Sequence, residues 1–454
     1  MAIIPEKELE IWGDIEDTPQ LDLLVAIMEG MPDEELMRKM ERHRKNGRND
    51  YPVRYMWNLL IAHDVLGHES MASFHRELLR NFTLVKLCGA PLRYPWRKAV
   101  PSLDALYNFR AQLKEFYQED IENMFHSMLE EALRILPDLG MHLAVDSTAL
   151  QSAGHKVTDE KKRAKPDGRR DLDARFGKKT YISQEGKVIK TVTVFGYKLH
   201  IIMDTTYGVP VGFYVTGANE SDYKNLIPLV QQVQQHHPDV IQRAEALMAD
   251  RGYDSAENNR VLWEEYDISP IIDKRKFWKD GEGTKPLNED KVDTIVYDES
   301  GHLHCVCPVT GTQREMAFQG FEKDRNTLKF RCPAATYDMA CKGRELCEKN
   351  ANIKSDFGRV VRVSIEKDFR RFSPVLYGTP KWERLYNERS AVERLNYRLK
   401  SLFHIGRRKM RGIQNFQLDV TFSMAVLMAV FVARLKAGDR KNLRSLYAPL
   451  PMVA

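Results

Sequence analysis

The sequence predicts a mixed α/β fold, with a helical domain ahead of it and a β-rich insertion inside it. Three textures lead there. Residues from about 20 to 137 carry apolar side chains at helical spacing. From Met141, short apolar runs alternate with helical stretches in the order strand, strand, strand, helix, strand, helix, strand, the pattern of a mixed sheet flanked by helices. From about 275 to 378 that order gives way to loops and short strand-like pieces, and helices then resume. The expected divisions are a helical, DNA-binding domain at 1–137 and the first part of an α/β core at 138–274. An insertion at 275–378, C-terminal core helices at 379–440 and a tail at 441–454 complete them.

The 454 residues suffice for two or three domains with a real core. An apolar content of 43% with 29% charged residues excludes a disordered or fibrous chain. A net charge of +5 permits a nucleic-acid partner without demonstrating one. The opening MAIIPEKELEIWGDIED is acidic and lacks the apolar stretch of a secretory signal, so a cytoplasmic protein is expected. Six cysteines in so long a chain do not make a secreted disulfide framework.

In chain order, helices are expected over Tyr55 to Leu66, Ser70 to Asn81, Leu103 to Phe116 and Asp120 to Leu136. Gly67, Gly89 and the run from Pro91 to Pro101 separate them. Basic and aromatic residues interleave at 42–48, 54–57 and 93–98, which suits either a DNA-binding surface or a solvated one. LAVDSTAL reads as a buried strand with Asp146 at its C-terminal end. Residues 155–190 are polar and basic and read as a long loop. Strands follow at Thr191 to Met203 and Val209 to Thr216, turning at Gly208, then a helix over Asp222 to Gln235. ALMAD is a second short strand ending in an acid, Asp250. A helix over Ala256 to Tyr266 and a strand over Ile268 to Ile272 complete the alternation. Strand-like pieces in the insertion are Thr294 to Tyr297, His302 to Val306, Gln313 to Phe318 and Thr327 to Arg331. Phe416 to Leu435 is long and apolar, but it holds Asp419 and is expected to be a buried core helix rather than a membrane span.

Lys381 to Lys400 has no Gly or Pro and reads as one helix. On a helical wheel Tyr386, Arg389, Glu393 and Lys400 fall within about 60° of one another. Leu385, Val392, Leu395, Leu399 and Phe403 form a separate apolar face. Read alone, the polar stripe is the salt-bridged edge of an amphipathic helix, with Arg389 and Glu393 an i, i+4 pair. Its weight changes beside the two aspartates. In an open α/β sheet, sites gather beyond strand C-termini. If their strands are neighbours, Asp146 and Asp250 stand close together and repel unless a cation joins them. Glu393 supplies a third carboxylate. Hard oxygen donors favour Mg²⁺ or Mn²⁺ over zinc, and a pair of such ions serves in-line phosphodiester displacement. Tyr386, Arg389 and Lys400 are then placed to hold phosphates.

The spacing of Tyr386, Arg389, Glu393 and Lys400 resembles the Y-R-E-K signature of bacterial insertion-sequence DDE transposases. LAVDSTAL, GYKLHIIMD and MADRGYDS are similar to that family's first and second acid motifs, and the likeness covers roughly residues 40 to 435. It implies a ribonuclease-H-like core with Asp146, Asp250 and Glu393 as the catalytic, Mg²⁺-binding triad. It also implies that Tyr386, Arg389 and Lys400 contact transposon-end DNA, with Lys198 and Arg251 beside the acids as further contacts. The function implied is binding of terminal inverted repeats, cleavage at element ends and joining of the 3′-hydroxyl to double-stranded target DNA in the bacterial cytoplasm, by a homodimer on paired ends. A catalytically silent repressor or architectural protein, or a nuclease without strand transfer, is the alternative. In the insertion, which in the family helps hold a hairpin or flipped base, Trp278 is either a stacking or a packed aromatic. Cys305, Cys307, Cys332, Cys341 and Cys347 lie near His302 and His304, and either bind zinc or remain free thiols, because their spacing departs from the usual paired knuckle. His63 and His68, and His200, carry no assigned role.

Overall fold

A computed structural model describes residues 19–44, 50–91, 95–156, 169–182, 187–275, 278, 282–288, 294–350, 358–449 and 451. Parts of the basic runs at 42–48 and 93–98 and of the stretch at 155–190 lie outside them.

The N-terminal helices are α1 (Pro19–Gly30), α2 (Glu34–Arg44), α3 (Val53–Val65), α4 (Met71–Leu78), α5 (Phe82–Leu87), α6 (Leu103–Phe116) and α7 (Gln118–Ile135). Their starts are capped where the sequence offers a short polar side chain. Ser70 accepts from the backbone N–H of Ser73, Asn81 from Leu84 and Ser102 from Ala105.

The main sheet holds β1 (His142–Gln151), β2 (Arg175–Ile182), β3 (Val188–Asp204), β4 (Pro210–Gly217), β5 (Ala246–Ala249) and β6 (Ser269–Ile272). The strand order is β2-β3-β1-β5-β6, and β4 also pairs with β3, along residues 197–203 where β2 does not. β1 runs antiparallel to β3 and parallel to β5, and β5 is parallel to β6. Crossovers run through α8 (Asp222–His236), α9 (Pro238–Arg243) and α10 (Ala256–Glu264). The architecture is therefore a mixed sheet flanked by helices.

Three expectations need correction. The stretch at 155–190 is not all loop, because β2 and the start of β3 lie within it. From Arg175 to Thr180 both faces of β2 are largely solvent-exposed, so this stretch lacks the apolar alternation that marks a half-buried strand. Asp146 does not end its strand. β1 loses β5 as a neighbour after Ala144 but keeps β3 as a partner as far as Gln151. The helix expected over Lys381 to Lys400 is two, α13 (Pro380–Glu388) and α14 (Ser390–Ser401), broken at Arg389. There Val392 N–H bonds back only to the Arg389 carbonyl, a tighter turn than the α ladder.

The insertion contains β7 (Thr284–Pro286), β8 (Ile295–Asp298), β9 (Leu303–Val306), β10 (Gln313–Glu315), β11 (Ala317–Glu322), β12 (Thr327–Arg331), α11 (Pro333–Thr336), α12 (Arg344–Asn350) and β13 (Val360–Ser364). It forms a four-stranded and a three-stranded sheet around its own core of Ile295, Leu303, Leu328, Phe330 and Phe372. The expected single strand at Gln313 to Phe318 is split into β10 and β11, which pair with different neighbours.

A second, larger core runs continuously from the N-terminal helices through the sheet to α15 (Ile413–Lys436). α15 is long and apolar enough to cross a membrane, yet it is buried within the protein against α1, α7 and β4. Asp419 in its second turn is met by Arg110 at 2.7 Å and Arg408 at 2.6 Å, which a lipid environment would not supply. Residues beyond α15 fold back, with Arg434 donating to the Ser445 carbonyl at 2.6 Å.

Several histidines are buried and held neutral. Burial lowers His68, His200 and His237 to about 4 and His126 to about 3, helped for His126 by His236 and His237. A folded-state value below the unfolded 6.5 means that the unfolded chain takes up protons first as pH falls. Stability is expected to hold above pH 6.5 and to decline from there toward pH 4. With more than one such histidine, the slope should exceed about 1.4 kcal/mol per pH unit. Urea midpoints measured across that range check this.

Candidate active site

Two helices lie over the sheet where its strands stop pairing. α13 packs on β5 and β6, and α14 on β1 and β3. β1 and β5 pair His142 with Ala246, Leu143 with Leu247 and Ala144 with Met248. The same register carried on brings Asp146 beside Asp250. Because β5 has ended there, the two carboxylates face an open edge under α14 rather than a ladder neighbour.

Each acid has a local anchor. The Gly252 N–H donates to Asp250 Oδ1 at 2.7 Å, fixing the turn after β5. Asn396 of α14 donates through Nδ2 to Asp146 Oδ2 at 2.9 Å. Burial and then the Asp250 charge push the Asp146 carboxyl up to about 6, against the Ser147 N–H and the Arg389 and Lys179 charges. Two like charges share the site without a sufficient counter-charge, the condition that a bound cation relieves.

The third expected acid stands apart. Glu393 is 58% exposed in its side chain and accepts from Arg389 Nη2 at 2.7 Å. Arg389 in turn feels the Asp146 charge and lies 5.5 Å from the Tyr386 ring centroid. Tyr386 stacks on Trp382 with ring centroids 4.6 Å apart. Burial lowers the Lys400 ammonium while Asp146 holds it up, so Lys400 also faces the acid. The structure thus brings Arg389 and Lys400 toward Asp146 and leaves Glu393 at the exposed side of the helix. Among the described residues no three His, Cys, Asp or Glu side chains stand together in a metal-holding arrangement.

Sequence reasoning missed two residues. Asn396 falls on the same stripe as Arg389 and Lys400, a signal present in the helical wheel. Asp222 carried no such signal, since an acid in the first turn of a helix is ordinary. It accepts from Ser147 Oγ at 2.7 Å and Lys198 Nζ at 2.9 Å, next door to Asp146. Lys198 also donates to the Glu220 carbonyl at 2.7 Å. Arg251 is exposed and tied to Asp273 at 2.9 Å. His200 is buried, with Nε2 at 2.9 Å from the Thr216 hydroxyl.

In the insertion Trp278 is half-buried and packed, with Lys285 and Arg371 over its ring and Tyr297 at its edge. The five insertion cysteines line one cavity and none is in a disulfide. Burial and the neighbouring thiols raise Cys305 to about 11. The Thr310 hydroxyl and the N–H groups of Thr310, Val309 and Gly343 lower Cys307 to about 7. An insertion anchor reaches the acid site, where Arg370 Nε meets Asp254 at 2.9 Å in the turn that follows Asp250.

The transposase DDE domain model matches residues 138–429, a span that contains the main sheet, the insertion and most of α15. The chain belongs to that family. A transposase described for insertion sequence element IS402 of Burkholderia cepacia is 38% identical over 86 residues, 18% of this chain. The match spans 39% of that relative's length. A solved piggyBac transposase synaptic complex with hairpin DNA aligns with 95% of this chain and 80% of its own, at 13% identity and a TM-score of 0.36. That likeness is too low to carry an argument. Family membership agrees with the Y-R-E-K resemblance drawn from residues 386 to 400.

Proposed function

We propose that this DDE-family chain is the transposase of an insertion sequence. It binds terminal inverted repeats, cuts the DNA at element ends and joins the freed 3′-hydroxyl to a target. The observation that carries the reading is the β1/β5 register, which runs on to Asp146 and Asp250 beneath Arg389, at the junction of α13 and α14, and Lys400 of α14. The sheet is read as ribonuclease-H-like, with residues 1–137 as a DNA-binding domain and 275–378 as the family's insertion.

Asp146, Asp250 and Glu393 are the proposed holders of Mg²⁺ or Mn²⁺. Asp146 and Asp250 fit, being hard oxygens close together with unbalanced negative charge, and Glu393 would join them only once its side chain turns from the exposed face. Ions held there supply activation of the attacking hydroxyl and stabilisation of the leaving oxygen. The chain's own side chains do the rest. Arg389 and Lys400 draw the scissile phosphate toward the acids. Tyr386, steadied by Trp382, offers a flat face and a hydroxyl to the flanking nucleotide. Lys198 and Arg251 extend the cationic border. Release of Arg389 from Glu393 by a phosphate frees that carboxylate to turn inward. Two ends must be paired, so the DNA-bound form is a homodimer in this reading, working in the cytoplasm.

The test uses labelled DNA carrying the sequences that flank the gene, with Mg²⁺, Mn²⁺ or EDTA. Metal-dependent nicking at a defined end, followed by strand-transfer product on a plasmid, supports the proposal. Nicking without transfer supports a nuclease, and end binding without cleavage a repressor. Zinc in the insertion is a separate proposal: five thiols line one cavity, and three or more of them would have to draw together to hold the ion. About one equivalent is expected in protein purified without chelator, and elemental analysis that finds none removes the site.

A further inference from the structure

We propose that the ribbon formed by β2 and the first half of β3 is a DNA-contacting arm, laid along a groove of the element-end duplex beside the bond that is cut. The inference rests on the reading of the chain as an end-binding transposase. β3 pairs with β1 only from Gly196 onward and with β4 only from Tyr197 onward. Before that, among the described residues, it pairs with β2, from Phe176 against Phe195 to Ile182 against Val188. The result is a two-stranded ribbon about 24 Å long, at about 3.4 Å per residue. Its charge has one sign. Arg175, Lys178, Lys179, Lys187 and Lys190 are exposed, and residues 175–182 and 187–195 include no Asp or Glu. Apolar side chains stand out beside them, with Phe176 52%, Val188 62% and Ile189 70% exposed.

Lysines on an edge strand commonly serve only to keep it solvated. That account leaves three large apolar side chains in water, on a two-stranded unit that is marginal by itself. A DNA duplex meets both features. The cations neutralise phosphates, the apolar side chains reach sugars and base edges, and a major groove admits a two-stranded ribbon. The root of the ribbon is fixed. Asp171 accepts from the Tyr197 hydroxyl at 2.6 Å and from the Gly412 N–H at 3.0 Å, tying β3 to the turn before α15. Lys179 stands close enough for its charge to act on both Asp146 and Lys400. DNA held over the acids by Arg389 and Lys400 therefore runs on along the ribbon. Cleavage precedes joining, so the duplex that the arm meets first is the element end.

The test measures binding of the full-length protein to a labelled element-end duplex in EDTA, across a range of salt, with thermal melting to confirm folding. Lys178→Gln combined with Lys190→Gln should lower the slope of log affinity against log salt by about 2. Binding should weaken about 10–100-fold near 0.1 M salt, and Lys178→Arg combined with Lys190→Arg should stay close to the parent. In footprinting, the parent should protect about seven base pairs beside the cut position that the glutamine variant leaves open. A parent-like slope and footprint in the glutamine variant overturns the arm and leaves end binding intact. Absence of end binding by the parent brings down that reading and this inference together. A loss confined to strand transfer onto a plasmid gives the ribbon to target DNA, and loss of a DNA-free dimer in sedimentation gives it to a second copy of the chain. Either result overturns the assignment. Should the double variant fail to fold, Lys190→Gln decides by the same footprint.

Discussion

Asp146→Asn is expected to abolish end cleavage, by at least about a thousandfold, with end binding within a few-fold of the parent. The reason is local. Asparagine keeps the shape and still accepts the Asn396 hydrogen bond, but it removes the charge that makes the edge under α14 attractive to a dication. The same change should raise stability in EDTA at neutral pH. The Asp146 carboxyl is pushed up to about 6 by burial and Asp250, so ionised Asp146 costs the fold about 3 kcal/mol at pH 7. The sign follows from linkage. A raised carboxyl binds its proton more tightly in the folded state, so the parent loses stability as pH rises through the range from about 4 to about 6, and the variant does not. Cleavage assays together with melting in EDTA check both halves. Robust cleavage by the variant would refute the site, and an unchanged or lower melting temperature would refute the electrostatic account.

The largest expected loss of stability is at Arg408. Its guanidinium is buried and bonds Asp64 at 2.6 Å and Asp419 at 2.6 Å. Asp64 belongs to α3, Asp419 to α15, and Arg408 to the turn between α14 and α15. Ser423 adds a bond to Asp64 at 3.0 Å, His63 another at 2.8 Å, and Arg110 meets Asp419 at 2.7 Å. Burial alone would raise the Asp64 carboxyl, but Arg408 and His63 hold it well below the ordinary range. Arg408→Met strands two buried carboxylates and should cost about 3–5 kcal/mol, lowering the melting temperature by about 3–5 °C in a chain of this size. A depressed carboxyl contributes stability above its unfolded value near 4 and loses it only as pH falls below that. Without Arg408, burial raises the Asp64 carboxyl instead, so the variant's deficit should be largest at neutral pH and shrink as the pH falls. Melting curves at pH 7 and pH 5 measure this, and a loss under about 1 kcal/mol would show that the network contributes little.

What sequence alone determined here is the periodic part. The helices over Leu103 to Phe116 and Asp120 to Leu136, the strand before Asp250 and the buried helix around Asp419 were legible because burial imposes a period of 3.6 or 2 on apolar residues. The Y-R-E-K spacing was legible because Arg389, at the junction of α13 and α14, keeps helical backbone angles (φ −51°, ψ −28°). Tertiary structure decided what no period records. β2 exists because β3 extends beyond β1 and offers an edge to a polar segment that buries little of its own surface. Asp146 lies mid-strand because its two neighbours end at different residues. Asn396 and Asp222 reach the acids from two helices separated by most of the core and the insertion. Their meeting is set by packing on one sheet, a long-range geometry to which local spacing is blind.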